Sequence, residues 1–316
     1  MGRPTVSICV PCYNNAGEVE RLLQSIYQQD YTDFEVNISD DSTDNATEIM
    51  VRERYPLVKY QHNAQPYGHI FNWNAAIKMA QGVYIKIMFS DDWFTDKASL
   101  GAFAAMLDDN PDAVLAFSGS RQVMLDGPDS DALHHVTAAH RSAFYDRFAD
   151  EAFIAQLRRD YRHLFLGNQI GAPSAVIYRR GSALTLFDER SNWASDLFLY
   201  FDLLEKSPIF AYSKQPLVSI GVHENQYTES FAEKDERIYN DYKYMYTKYN
   251  LRESRACKEY FAEQFLIKYH KGIREAMQLG IDGGLFVRKL SHEFAATLQS
   301  VVESRFKKGH TENMKK

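Results

Sequence analysis

Two adjacent carboxylates, Asp91 and Asp92, lie between Ser90 and Trp93, directly after the apolar run Val83-Tyr84-Ile85-Lys86-Ile87-Met88-Phe89. Carboxylates at the carboxyl end of a strand can hold a divalent cation over a diphosphate, because hard cations take oxygen ligands and keep phosphate oxygens in their shell. Asp-Asp after a strand also serves as turn chemistry or as a helix N-cap, so the pair needs support from elsewhere. A second acidic run, Asp40-Asp41-Ser42-Thr43-Asp44, closes another short apolar segment and has the same capping alternative. Asp196 is the only acid in Trp193-Ala194-Ser195-Asp196-Leu197-Phe198-Leu199-Tyr200-Phe201. Apolar surroundings raise a carboxyl pKa towards the range useful to a general base, while the first turn of a helix equally suits a capping acid. His223-Glu224-Asn225-Gln226 supplies one more ligand-type side chain at the end of a segment.

The elements that must position these residues alternate. Residues 5–10 form an apolar run ending at Pro11 and the polar turn Cys12-Tyr13-Asn14-Asn15; Val19, Leu22, Leu23, Ile26 and Tyr27 then recur at helical spacing. Strands over 34–38, 58–60 and 83–89 and helices over 46–54 and 71–81 continue the pattern, which argues for a parallel sheet covered by helices. Ligands of such sheets bind outside the carboxyl ends of the strands. Tyr13 with Asn14, Asp40 with Asp41, Asn72 with Asn74, and Asp91 with Asp92 all fall there, and four polar clusters at one edge point to a site. The absence of G-x-G-x-x-G and of G-x-x-x-x-G-K counts against a dinucleotide-binding domain and a P-loop.

Further on, the pattern predicts a helix over 99–107, a strand over 113–117 and helices with a basic face over 129–165. A loop, Gly167 to Ser174, precedes a strand over 175–178; a helix from Trp193 and a strand over 217–222 follow. Beyond residue 231 the pattern changes to long helices, 235–249, 252–278 and 283–307, with the stripe Tyr260, Phe261, Phe265, Leu266 and Tyr269 reading as packing against the main domain.

At 316 residues and 45% hydrophobic, the chain can bury a sizeable core. A net charge of -6 gives no reason to expect nucleic acid, so phosphate binding must be local. Cys9 and Cys12 form a C-x-x-C with no second pair, and their strand context with Pro11 favours packing and a reducing compartment over redox or zinc chemistry. With no signal peptide and no apolar stretch near 18 residues, the expectation is a cytoplasmic protein, with peripheral contact at the inner face of the membrane left open.

Taken in order, Val6-Ser7-Ile8-Cys9-Val10-Pro11-Cys12-Tyr13-Asn14-Asn15, Asn37-Ile38-Ser39-Asp40-Asp41-Ser42-Thr43-Asp44, Ala80-Gln81-Gly82-Val83-Tyr84-Ile85-Lys86 and Ser90-Asp91-Asp92 resemble the family 2 glycosyltransferases of GT-A fold. The likeness covers roughly residues 5 to 226. Gly171-Ala172-Pro173-Ser174, Asp196 and His223 to Gln226 resemble the acceptor half of a bacterial branch of that family. The resemblance implies an α/β GT-A fold, Rossmann-like with a mostly parallel central sheet: a nucleotide-sugar half over 1–120, an acceptor half over 121–230 and a C-terminal helical extension over 231–316.

It also implies an inverting transfer of a sugar from a nucleoside-diphosphate donor to a glycan or lipid-linked acceptor, with Mn²⁺ or Mg²⁺ as cofactor. By that likeness Asp92 and His223 are the metal ligands, and Asp91 faces the donor ribose or the metal's water shell. Pro11, Tyr13, Asn14, Asp41 and Asn74 bind the donor, with Asp41 accepting from the N3-H of uracil or thymine. Asp196 is the base, ahead of Asp188 and Glu189, and Gly171, Pro173, Ser174 and Trp193 meet the acceptor. One departure stands out: Asn72-Trp73-Asn74-Ala75 lacks an arginine common in relatives, and Lys78, Lys86 or Arg179 are the candidate substitutes. A catalytically silent binding protein of the same fold and a sugar-phosphate nucleotidyltransferase are the rival readings.

Overall fold

The structure, a computed structural model, describes residues 4–125, 144–223, 231–232 and 234–291. The chain divides into two compact units, one ending at Phe231 and the other beginning at Ala232. In the first, strands β1 (Val6–Cys12), β2 (Phe34–Asp40), β3 (Lys59–His62) and β4 (Tyr84–Ile87) run parallel in the order β3-β2-β1-β4. Helices α1 (Ala16–Tyr27), α2 (Ala46–Arg54) and α3 (His69–Lys78) connect them. The amphipathic spacing of α1 explains its seat, since Val19, Leu22, Leu23 and Ile26 are all buried among Val6, Ile8 and Val10.

Register aligns the functional edge. Cys12 pairs with Asp40 and Asp40 with His62, so β1, β2 and β3 end level. Cys9 pairs with Ile87, and the Met88 N–H bonds the Cys9 carbonyl, so β4 delivers Phe89 to Asp92 to the same edge.

Beyond β4 the sheet becomes mixed, giving an α/β fold whose first half is parallel throughout. β8 (Val176–Arg179) pairs antiparallel with β4 and with β6 (Leu115–Met124), and β6 runs parallel to the long β9 (Phe210–Val222). The two-residue β5 (Trp93–Phe94) pairs antiparallel with Val218 and Ser219 of β9, which carries the end of β9 past Asp91 and Asp92. Helix α4 (Ser99–Asp108) buries Leu100, Phe103, Ala104 and Leu107. The expected run of basic helices is replaced in part: β7 (Phe144–Arg147) is a strand on β6, followed by α5 (Glu151–Arg159) and a 3-10 turn over Tyr161–Leu166. Phe144-Tyr145-Asp146-Arg147 is a four-residue, largely exposed edge segment, too short to show the period of either element by itself. His134, His135, His140 and Arg141 lie outside the described residues. Helix α6 (Ser195–Leu204) is apolar on nearly every side and buried accordingly.

The second unit contains α7 (Glu236–Lys248), α8 (Arg255–Phe261) and α9 (Ile273–Gln278), with a further helical stretch over 283–291. The single helix expected over 252–278 is broken: a π-turn over Ala262–Ile267 runs into His270 at φ 55°, and α9 restarts after Gly272. The aromatic stripe packs inside this unit, with Phe261 stacked on Tyr246 at 4.5 Å and Phe265 on Tyr242 at 4.0 Å between ring centroids. Among the described residues no helix is long and apolar enough to cross a membrane.

Candidate active site

The turn Ser90–Trp93 is held from several sides. Asn15, in the loop after β1, donates to Ser90 Oγ at 2.6 Å. Arg21 of α1 donates from Nη2 to the Asp91 carbonyl at 2.9 Å and lays its guanidinium over the Trp93 ring at 4.3 Å. Burial opposes the Arg21 charge, and Glu18, Asp91 and Asp92 favour it. Neither Arg21 nor Asn15 carries a local signal of this role, because both contacts span the fold.

The two acids differ. Asp92 is buried at 2% exposure and accepts at Oδ1 from the Gly221 N–H at 3.2 Å. Burial, then the neighbouring Asp91 charge, pushes its carboxyl above the ordinary range; hydrogen bonds from Ser174 and Gly221 and the nearby Lys86 ammonium act the other way. Asp91 is more open and places Oδ2 at 3.3 Å from His223 Nε2. The structure thus brings His223 to Asp91, where the sequence reading paired it with Asp92. Glu224, Asn225 and Gln226 lie outside the described residues.

A carboxylate oxygen and an imidazole nitrogen, each side chain about one-fifth exposed, suit Mn²⁺ or Mg²⁺ with phosphate and water oxygens completing the shell. Among the described residues no group of three or more His, Cys, Asp and Glu forms a closed cage, so such a cation would need its substrate as ligand.

The donor-side residues fall into two kinds. Pro11 is buried at the end of β1, and Tyr13 is 54% exposed and open to a ligand. Asn14, at φ 52°, accepts at Oδ1 from the Thr43 N–H at 2.8 Å and donates its own N–H to Ser42 Oγ, stapling the loops after β1 and β2 together. Asp41 does not cap α2; Asp44 accepts from the Ala46 N–H there. Asp41 instead accepts from Asn63 Nδ2 at 2.7 Å and from the backbone N–H groups of Tyr67 and Gly68 at 2.9 and 3.0 Å, fixing the loop before α3. Asn74 is buried, with both amide atoms on the Phe187 backbone, and Asn72 donates to the Cys12 carbonyl. Trp73 packs among His69, Phe89 and Phe187.

None of the three cations proposed to replace the missing arginine faces open space beside Asp91 in this arrangement. Lys86 is fully buried, bonded to the carbonyls of Ser174 and Ile87 and lying over Phe103, with its amine pushed by burial down to about 7. Arg179 lies at the opposite end of β4, bonded to the carbonyls of Leu107 and Ala113, and Lys78 is exposed on the last turn of α3.

The loop 167–174 joins the two chemical ends. Ser174 Oγ accepts from the Phe89 N–H at 3.0 Å and bonds Asp92, while Asn168 Nδ2 donates to Asp196 Oδ2 at 2.6 Å. Gly171 turns at φ 96° and, like Pro173 and Ser174, is buried, so these three shape the site from behind. Asp196 lies in the first turn of α6, with Oδ1 accepting from the Leu197 N–H at 2.8 Å, and burial pushes its carboxyl up to about 6. Trp193 is partly exposed three residues earlier. Of the rival acids, Asp188 caps a turn by accepting from the Arg190 N–H, and Glu189 is exposed. Cys9 and Cys12 are buried free thiols whose pKa values burial raises, as packing residues require.

The sequence matches the model of glycosyl transferase family 2 over residues 7–186. It is 35% identical to the abequosyltransferase RfbV of Salmonella typhimurium over 117 residues, 35% of this chain and 34% of that protein. It is 30% identical to the putative teichuronic acid biosynthesis glycosyltransferase TuaG of Bacillus subtilis over 151 residues, 46% of this chain and 56% of that one. The chain thus spans less than two thirds of the length of either relative. The crystal structure of Staphylococcus aureus TarS 1-349 with UDP-GlcNAc superposes with a TM-score of 0.60 at 19% identity, covering 90% of this chain and 79% of that one. That likeness establishes the GT-A architecture. With more than half its length matched by the family model, the chain belongs to glycosyltransferase family 2.

Proposed function

We propose that the protein is an inverting hexosyltransferase that moves a sugar from a UDP- or dTDP-linked donor to a hydroxyl of a glycan or lipid-linked acceptor in bacterial surface polysaccharide assembly. The observation that carries the reading is Asp196. Its carboxyl, raised to about 6, is ionised at neutral pH yet basic enough to take a hydroxyl proton, and loop 167–174 ties it to Asp92. The acceptor oxygen, losing its proton to Asp196, bonds to the anomeric carbon from one face while the bond to the diphosphate oxygen breaks on the other.

Tyr13 and Pro11 provide the wall and floor for base and ribose, and Asp41 sets the loop beside them and retains lone pairs for a nucleobase N–H. Asp91 and His223 would hold Mn²⁺ or Mg²⁺, with Asp92 buried behind them. When bound, that cation supplies Lewis-acid stabilisation of the leaving diphosphate. Trp193 lies on the acceptor side. The name of RfbV, an abequosyltransferase, supports sugar transfer, that of TuaG, a putative teichuronic acid biosynthesis glycosyltransferase, supports a surface-polymer product, and UDP-GlcNAc in the TarS structure supports a uridine donor.

A thermal-shift screen of nucleotide sugars, followed by product analysis, tests the proposal, since a ligand that binds the folded state raises the melting temperature by mass action. Transfer releases a nucleoside diphosphate. Release of pyrophosphate, or binding without turnover for every donor and acceptor tried, would remove the transferase reading.

A further inference from the structure

We propose that Asn168 is the positioning residue of the base: its amide, locked from behind, holds Asp196 in one orientation and in the form that accepts a proton. The inference rests on the reading of Asp196 as the base.

Asn168 Nδ2 donates to Asp196 Oδ2 at 2.6 Å, and a nitrogen can only donate, so this contact favours the carboxylate over the carboxylic acid. The amide cannot turn over without loss, because its Oδ1 accepts from the Gly171 N–H at 3.1 Å while Nδ2 also reaches the Gly171 carbonyl at 3.3 Å. Gly171 closes this turn at φ 96°, a conformation glycine adopts without a side-chain clash, and Tyr200 fastens it by donating to the Gly171 carbonyl at 2.9 Å. Arg147 on β7 donates from Nη2 to the Asn168 carbonyl at 2.7 Å. With the Leu197 N–H on Oδ1 and the Asn168 amide on Oδ2, each oxygen of Asp196 faces a donor, and lone-pair capacity remains to take a proton.

The charged and titratable groups facing Asp196 are Arg147 from β7 and Tyr200 from α6. Burial opposes the ionised carboxyl, while the backbone N–H groups of Leu197 and Asp196, the Arg147 guanidinium and the Asn168 amide favour it; of the side chains, Asn168 acts without adding charge. An amide donor at this distance, rather than a second cation, adds to the support of the ionised base without lowering its basicity to that of an exposed acid.

The test is an NMR titration of carboxyl-labelled aspartate in the full-length chain, with Asp196→Asn assigning the resonance. Asn168→Ala should move the Asp196 midpoint upward by about one pH unit. Asn168→Asp, of the same shape, should move it further because a like charge replaces the donor, and it gives the answer should the alanine variant fail to fold. Unmoved midpoints in the variants that fold overturn the proposal. With the donor found by the nucleotide-sugar screen, the acid limb of the rate profile should follow the same shift, while melting-temperature shifts by UDP stay unchanged. The two readings fail separately: normal turnover by Asp196→Asn removes the base assignment, whereas a dead Asp196→Asn with unmoved midpoints removes Asn168 alone.

Discussion

His223 Nε2 stands 3.3 Å from Asp91 Oδ2, although the two residues are 132 positions apart in the chain. The pairing of β5 with β9 creates this contact, because Trp93 opposite Ser219 carries the end of β9 back alongside the acidic turn. A divalent cation, if held here as proposed, would replace that hydrogen bond by bonds to Asp91 and His223. Chelation should therefore abolish transfer and Mn²⁺ should restore it. His223→Ala should raise the Mn²⁺ needed for half-maximal activity by about tenfold or more, with Asp91→Asn at least as severe. Full activity in excess chelator would exclude the metal, and an unchanged Mn²⁺ requirement in His223→Ala would remove His223 from its shell.

Gly221 makes that geometry possible. A Cβ there would lie 2.6 Å from the Asp91 carbonyl oxygen and 2.7 Å from Leu125 Cδ1. Leu125 can rotate aside, but the Asp91 backbone is fixed by Arg21, so β9 must move instead. Gly221→Ala should cost about 1–3 kcal/mol in urea denaturation and also loosen Asp92, which loses its backbone donor. A variant with unchanged stability and unchanged Mn²⁺ requirement would show that the close approach is not needed.

How much of this was legible beforehand follows from the range of each contact. The strands expected over 5–10, 34–38 and 83–89 fall on β1, β2 and β4 with ends displaced by about two residues, because local periodicity and turn chemistry agree there, and the parallel order of the first half follows from strand-helix alternation. Asp196 stood out as a single acid in an apolar segment. Asn168, Arg21 and Gly221 did not, since each matters only through a partner brought close by the fold. The division of labour between Asp91 and Asp92 was equally hidden. Asp91 lies within the turn that the Asp92 N–H closes on the Phe89 carbonyl and Asp92 follows it, and it is β9, through Gly221 and His223, that meets them differently. The C-terminal helices were legible as helical, while the break near His270 depends on a left-handed backbone at a residue other than glycine.

Asp41 makes a separate prediction, because its oxygens support a loop as well as any base. Asp41→Asn would turn one acceptor into a donor against the N–H groups of Asn63, Tyr67 or Gly68. Leaving such a buried donor unpaired costs about 1–3 kcal/mol, so the variant should melt earlier even without nucleotide. Loss of UDP-induced stabilisation with an unchanged apo melting temperature would instead assign Asp41 to base recognition alone.

Asp196→Asn is expected to lower turnover by about 10²–10⁴-fold while Mn²⁺-dependent nucleotide binding is kept. In the wild type the base must be ionised, so activity should rise with pH through about 6 and level above it, falling roughly tenfold per unit on the acid side. Stability should run the other way. Burial raises the folded-state carboxyl from the ordinary 3.8 to about 6, so between those values the folded chain holds a proton that the unfolded chain has released. Folding is therefore penalised as pH rises through that window, and the penalty persists at neutral pH. Asparagine cannot ionise and escapes it, at the cost of one acceptor facing Asn168 or Leu197. The melting temperature of Asp196→Asn relative to wild type should accordingly be higher at pH 8 than at pH 4. A difference between the two proteins that does not change with pH would show that Asp196 titrates alike in the folded and unfolded chains, which is incompatible with a base tuned by burial.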